Sequence, residues 1–322
     1  MNNSRVIIVM YHYVRDLHHS KYPRIKGLDI HLFLEQIEFF KNNFNIVSME
    51  ELIEYYKYGK NLPDRALLMT FDDGYIDNYV NVFPALRDNG LQGSFFIPGK
   101  VLIEHSLLDV NKIHYILASS DISELTKDVM DRLEFYNGKD FEYESPNNLY
   151  KKYAIANRFD DKDTIFVKRI LQTVLPEKLR NTISSELFSK YVGVDEKEVA
   201  SALYMTYDHL DVLRRNGMFI GIHGYDHYWL ANLDVKTMED DISKALNSLE
   251  SFINRDAWVM NYPYGNYNEM VIDYVKKNGC IIGLSTEARV ADLKYDNKYC
   301  LPRLDCNDFP PISDGYKKFL YG

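Results

Sequence analysis

Three times in this chain a pair of charged residues is followed by Asn-Gly and then by an apolar run. Arg87-Asp88-Asn89-Gly90 precedes residues 91–97, Arg214-Arg215-Asn216-Gly217 precedes 218–222, and Lys276-Lys277-Asn278-Gly279 precedes 280–284. Cations suit the last turn of a helix, where the carbonyl ends of the peptide dipoles gather, and Gly takes the left-handed conformation that closes it. Each unit therefore reads helix, cap, strand. Repetition of that order restricts the fold to α/β, a parallel sheet or barrel with helices between its strands. Residues 6–13, 66–71, 257–262 and 299–304 are further short, apolar, turn-bounded segments expected to be strands. Between Leu233 and Arg255 a helix is expected, because Met238, Ile242, Ala245, Leu246, Leu249, Phe252 and Ile253 recur at helical spacing as a core-facing stripe.

Residues 104–202 break this order. They are rich in Lys, Asp, Glu, Asn and Tyr, and their helical patterning is interrupted at Tyr136-Asn-Gly-Lys139 and Ser145-Pro-Asn-Asn148. They separate two strands that a simple connection would join in far fewer residues. A length of 322 residues admits a barrel carrying an insertion. The expected organisation is a barrel formed by 1–103 and 203–322, with a helical subdomain inserted at 104–202. Such an insertion would serve as a lid, a specificity wall or a surface through which oligomers form.

Composition excludes several classes. With 46% apolar and 26% charged residues the chain is globular rather than disordered. A net charge of −9 with no basic run argues against a nucleic-acid partner. Cys280, Cys300 and Cys306 are odd in number and lack paired spacing, so no disulfide framework is expected and a reducing compartment is favoured. The apolar run at 6–10 is too short for a signal-peptide core, and no stretch approaches the about 20 apolar residues of a transmembrane helix. The expectation is a soluble, cytoplasmic protein.

The chemistry is concentrated at strand ends. Thr70-Phe71-Asp72-Asp73-Gly74 closes one strand, and His223-Gly-Tyr-Asp-His227 directly follows another. Side chains alternate along a strand, but where the chain turns after it both carboxylates can reach one pocket, and Gly74 permits the turn. A separation of four lets two imidazoles converge on one ion. One carboxylate and two imidazoles make a three-ligand divalent site with open positions, and the second carboxylate is a proton acceptor: a metal-dependent hydrolase. The same donor set suits a non-haem iron oxygenase, against which the adjacent second Asp and the strand order both argue.

These motifs, together with Asn261-Tyr262-Pro263-Tyr264-Gly265 and the flanks Gly93-Ser-Phe-Phe-Ile-Pro98 and Tyr228-Trp229-Leu230, resemble the NodB-homology polysaccharide deacetylases, carbohydrate esterase family 4. The resemblance covers roughly residues 5–103 and 203–305. It implies a distorted (β/α) barrel, usually seven-stranded, that removes N- or O-acetyl groups from sugars. By that resemblance Asp73, His223 and His227 hold a divalent metal, commonly Zn2+, Asp72 is the general base, and the backbone N–H of Tyr264 faces the oxyanion. Three departures stand out. Asn261 occupies the position where many members carry an Arg that orients the catalytic Asp. The usual Asp and Trp of the fourth motif have no match at 281–286. The late Leu-x-x-His is absent, the region reading Leu301-Pro-Arg-Leu-Asp-Cys306. Met10-Tyr11-His12-Tyr13 is similar to the N-terminal motif of permuted members such as the poly-N-acetylglucosamine deacetylases, which makes His12 the general acid.

Arg303 is expected to bind an acidic sugar group or to pair with Asp72, and Asp305 to orient His12. Tyr225, Tyr228 and Trp229 are expected to stack on a sugar, and Asn261 to lie at the substrate. The expected function is a metal-dependent deacetylase of an acetylated sugar, an intracellular nucleotide- or lipid-linked precursor of surface polysaccharide. Its rivals are a carbohydrate-binding homologue without turnover, which the missing Arg and His support, and an amide hydrolase of another substrate class on the same fold.

Overall fold

The computed structural model describes residues 4–139, 141–157 and 160–320. The chain forms two compact units: Met1–Asp16, Gly27–His105 and Ser201–Gly322 make the first, Leu17–Lys26 and Ser106–Ala200 the second.

The first unit is built on one curled sheet with strands β1 (Arg5–Tyr11), β2 (Ala66–Phe71), β3 (Ser94–Ile97), β4 (Phe219–Ile222), β5 (Trp258–Asn261), β6 (Cys280–Leu284) and β7 (Leu304–Asp305). From β1 to β6 the strands lie side by side in chain order, each parallel to the next. β7 pairs parallel with β1, and Leu301 bridges Leu284 of β6. The ladder thus curls back from the last strand towards the first, a distorted seven-stranded barrel. Asn45–Ile46 adds to β2, and Ala291–Asp292 runs antiparallel to β1.

The helix-cap-strand units are where the sequence puts them. Helices Phe83–Asp88, Tyr207–Arg215 and Glu269–Lys277 end at Asn89, Asn216 and Asn278. The glycine after each has φ of +66°, +77° and +90°. Two strands differ from expectation by more than two residues at an end. β3 begins at Ser94, not at 91, because the Leu91 N–H turns back to the Leu86 carbonyl at 2.9 Å and completes the helix cap. The segment expected to be a strand over 299–304 is realised as the Leu301 bridge and then β7. Pro302 has no N–H to give a ladder, and across it the chain changes neighbour from β6 to β1.

Val6, Ile8, Ala66, Leu68, Phe96, Val259, Ile282 and Leu284 pack in one apolar cluster. Thr70 and Asp72 follow Ala66 and Leu68 at the strand period of two. The face that is apolar along β2 therefore turns polar at its carboxyl end, which is where parallel α/β folds and barrels carry their sites.

The second unit is helical, with Asp109–Ser119, Ile122–Tyr136, Pro146–Tyr153, Lys162–Arg169 and Glu177–Tyr191 among its elements. Ile113, Ile116, Leu125, Val129, Leu133, Phe166, Ile170, Leu179 and Ile183 are fully buried, so it has an apolar core of its own. Leu17–Lys26 belongs here rather than with the barrel segment 1–103. The Tyr22 ring meets the edge of Tyr115 at 4.7 Å, and Arg24 Nε donates to the Ala118 carbonyl at 2.9 Å. Among the described residues no helix is long and apolar enough to cross a membrane.

Candidate metal centre

β2 delivers the paired carboxylates. The Asp72 N–H still bonds the Tyr11 carbonyl at 2.9 Å, so Asp72 completes the strand. Asp73 then adopts φ +69° and turns the chain, so that both side chains serve one pocket instead of opposite faces. His223 continues β4, its N–H on the Ile97 carbonyl at 3.2 Å. His227 and Tyr264 have φ of +58° and +59°. Left-handed backbone costs a non-Gly residue about 1–3 kcal/mol, and here three such residues meet at one site.

Asp73 Oδ1 lies 3.3 Å from His223 Nε2 and 3.2 Å from His227 Nε2. One donor atom from each of the three residues falls within 4.8 Å of the others. The Asp73, His223 and His227 side chains are all buried. Asp73 Oδ2 accepts the Tyr75 hydroxyl at 2.6 Å, while the buried Oδ1 has no hydrogen-bond partner among the described residues. His223 Nδ1 donates to the Asn261 carbonyl at 2.7 Å. That fixes the proton on Nδ1 and turns the Nε2 lone pair towards Asp73. Lone pairs converging on an orphaned carboxylate oxygen call for a cation, and one oxygen with two nitrogens suits zinc-like ions. The residues present therefore fit a divalent metal.

The three groups also shift one another's proton affinity. Burial works to raise Asp73, but the two imidazoles facing it hold it well below the ordinary carboxylate range. Burial works to lower both imidazoles. At His223 the facing Asp73 carboxylate, the Asp72 charge and the Asn261 carbonyl outweigh it and the pKa rises, whereas at His227 burial prevails and the pKa falls.

Asp72 stands beside this triad on the end of a buried arginine. Arg303 Nη1 and Nη2 donate to its Oδ1 and Oδ2, each at 2.9 Å. The same guanidinium donates from Nε to the Ser285 carbonyl at 2.9 Å and from Nη1 to Thr70 Oγ1 at 3.0 Å. Burial works to raise the Asp72 carboxyl, but Arg303, His12 and His223 together bring it below its ordinary value. His12 Nε2 is 3.8 Å from Asp72 Oδ2, and its side chain is 40% exposed, so it forms the rim of a buried floor.

The residues expected at the substrate are mostly turned to other work. Arg303 is 1% exposed and pairs with Asp72. Tyr225 is buried, its hydroxyl donating to Glu104 at 3.0 Å. Asn261 is fully buried. Asp305 does not orient His12: its Oδ1 accepts from the Asn307 N–H at 2.8 Å and caps the turn that follows. Trp229 stacks on Tyr264 with centroids 4.4 Å apart, and Tyr264 stands 4.6 Å from the His227 ring. Tyr75, which holds the second oxygen of Asp73, escaped the sequence reading. Its one signal is position, a tyrosine immediately after the Asp-Asp-Gly turn.

Comparison with known proteins converges on one family. The model of the family described as polysaccharide deacetylase matches residues 59–132 and 149–282. YxkH of Bacillus subtilis (strain 168), named for the same family, is 25% identical over 163 residues, 50% of this chain and 55% of its own length. Poly-beta-1,6-N-acetyl-D-glucosamine N-deacetylase of Escherichia coli (strain K12) is 43% identical over 47 residues, 15% of this chain and 7% of its own length. The chain thus spans about half of the one relative and a small part of the other. In fold, it is similar to the Streptococcus pyogenes deacetylase PplD in complex with acetate, at a TM-score of 0.60 and 13% identity over 100% of both chains.

Proposed function

Since the chain belongs to the polysaccharide deacetylase family, we propose that it is a metal-dependent deacetylase hydrolysing the N-acetyl (or O-acetyl) group of a sugar. Asp73, His223 and His227 would hold the ion, Zn2+ first among the candidates. The observation that carries this reading is Asp73 Oδ1, buried without a hydrogen-bond partner among the described residues and faced by two imidazole nitrogens, with a second carboxylate one residue away. Bound there, a divalent ion supplies a Lewis acid for the acyl oxygen and brings the pKa of water towards about 7.

The chain's own residues do the rest. Asp72, kept ionised by Arg303, takes the proton of the attacking water. Arg303 does for Asp72 what an Arg at position 261 would otherwise do. His12, on the rim above Asp72, returns a proton to the leaving amine. The backbone N–H of Tyr264 is the donor proposed for the oxyanion. The stacked Trp229 and Tyr264 rings offer a flat surface to a sugar ring. A division into a barrel and an insertion at about 104–202, which Leu17–Lys26 joins, is part of the same proposal, with the insertion setting substrate class or oligomeric state.

An N-acetylglucosamine unit is the substrate to try first, since the Escherichia coli relative is named for its polymer. A nucleotide- or lipid-linked precursor is the form proposed. The test is acetate release by Zn2+-loaded protein from nucleotide-linked, lipid-linked and oligomeric N-acetylated sugars. Asp72→Asn should retain the metal and lose turnover by at least about a hundredfold, and His223→Ala should lose both. Full activity of Asp72→Asn would remove the proposed base. Metal uptake with no release from any class would leave a carbohydrate-binding homologue as the reading.

A further inference from the structure

Gly224, Tyr225 and Asp226 bridge the two imidazoles of the triad. Their backbone groups are held from two sides. The Gly224 and Tyr225 carbonyls accept the N–H groups of Gly99 and Lys100, each at 3.0 Å. From the other side comes Asp241, in the helix Val235–Ser248. Its Oδ1 accepts the Tyr225 N–H at 3.0 Å and its Oδ2 the Asp226 N–H at 2.8 Å.

Asp241 is 3% exposed and shares the buried face of its helix with Met238, Ile242 and Ala245. A carboxylate in such a place costs several kcal/mol unless hydrogen bonds compensate it. It does not serve its own helix, whose N-cap is Asp234, bonded to the Thr237 N–H. Both of its oxygens go to consecutive amides of the bridge. Two acceptors on one rigid carboxylate fix the spacing and direction of those amides. His227, immediately beyond, is held at φ +58°, a strained conformation that persists only where the surroundings impose it.

We propose that Asp241 is a positioning residue for the metal centre: it holds the 224–226 bridge so that His223 and His227 present Nε2 to one point before any ion arrives. The proposal rests on the reading of Asp73, His223 and His227 as a metal site. It concerns a residue that touches neither the ion nor the substrate and acts through the backbone.

Metal-free protein is titrated with Zn2+ against a chromophoric chelator, for wild type, Asp241→Asn and Asp241→Ala. Asp241→Asn keeps the shape but offers one acceptor oxygen where two are needed. Its dissociation constant should rise about 10–100-fold, as for other groups that orient metal ligands, with far-UV circular dichroism unchanged. Deacetylase activity lost at limiting Zn2+ should return at saturating Zn2+, which a merely misfolded variant would not do. An unchanged dissociation constant in folded Asp241→Asn overturns the proposal while leaving the metal reading intact. A wild type that takes up no ion overturns the metal reading, and this proposal with it. Should both variants fail to fold, hydrogen exchange in metal-free wild type decides. Protection of the Tyr225 and Asp226 amides comparable to the Val235–Ser248 helix supports the clamp, and exchange at exposed-loop rates overturns it.

Discussion

Arg303 and Asp72 form a bidentate pair in which neither side chain is more than 2% exposed. Taking one partner from a buried pair strands the other charge, at a cost of about 3–5 kcal/mol. Arg303→Met should destabilise by about that much, and Asp72→Asn by less, because an amide still accepts a bond. The double variant should lose clearly less than the sum. Strictly additive losses in denaturant unfolding would take the pair out of this account. Arg303 was visible in the sequence as a cation near a strand end, but its choice between a sugar and Asp72 was not. That choice depends on burial, and burial depends on β7 returning to β1. Asp241 does not stand out in the sequence, since an acidic residue on a helix reads as solvated. Its spacing, three after Met238 and four before Ala245, places it on the apolar stripe and was the available signal. Burial first, and then the Asp226 charge, push Asp241 up to about 6 against the pull of the two backbone amides and Lys244. A raised carboxyl binds its proton more tightly in the fold than in the unfolded chain. The stability this gives is complete below about pH 4 and is lost as pH rises through about 6. The stability of wild type minus that of Asp241→Asn, measured in chelator, should therefore fall between about pH 4 and 6 and then level off. A difference that is flat or rising over that interval would contradict the burial of an ionisable group there.

At the scale of elements, two of the repeated caps differ in what surrounds them. Gly217 has φ +77° and open space where a Cβ would go, whereas Gly279 has φ +90° and a Cβ there would lie 2.2 Å from the Arg255 carbonyl oxygen. Gly217→Ala should cost about 1–2 kcal/mol of left-handed strain. Gly279→Ala should cost that plus an overpacking penalty of about 1–3 kcal/mol. Thermal or denaturant unfolding of the two variants gives the comparison, and equal losses would mean that the Gly279 cap yields freely. The caps were legible because everything that makes them is local: a cation in the last turn, an Asn, a Gly. The strands that follow were legible for the same reason. What failed was the segment at 299–304, which bonds β6 through Leu301 and β1 through β7. Hydrophobicity marks such a segment as buried, but which neighbour it bonds is a property of the closed sheet.

For the whole molecule, the limit of sequence reading is set by partners far apart along the chain. Nothing local in Leu17–Lys26 announces that Tyr22 will meet Tyr115 and Arg24 the Ala118 carbonyl. The helical run from 104 to 202, by contrast, announces itself by composition. The two units have separate cores, and every residue proposed to hold the ion, together with Asp72, His12, Arg303 and Asp241, comes from the first. An ion that binds the folded state stabilises it by about 2.7 kcal/mol at a hundred times its dissociation constant. That stabilisation belongs to the structure that must open for the ligands to separate. Hydrogen exchange with and without chelator should therefore show Zn2+ slowing the most protected amides of 4–16, 27–105 and 201–320 by up to about a hundredfold. Those of 17–26, 106–139, 141–157 and 160–200 should change little. Equal slowing in both sets would mean that the two cores open as one.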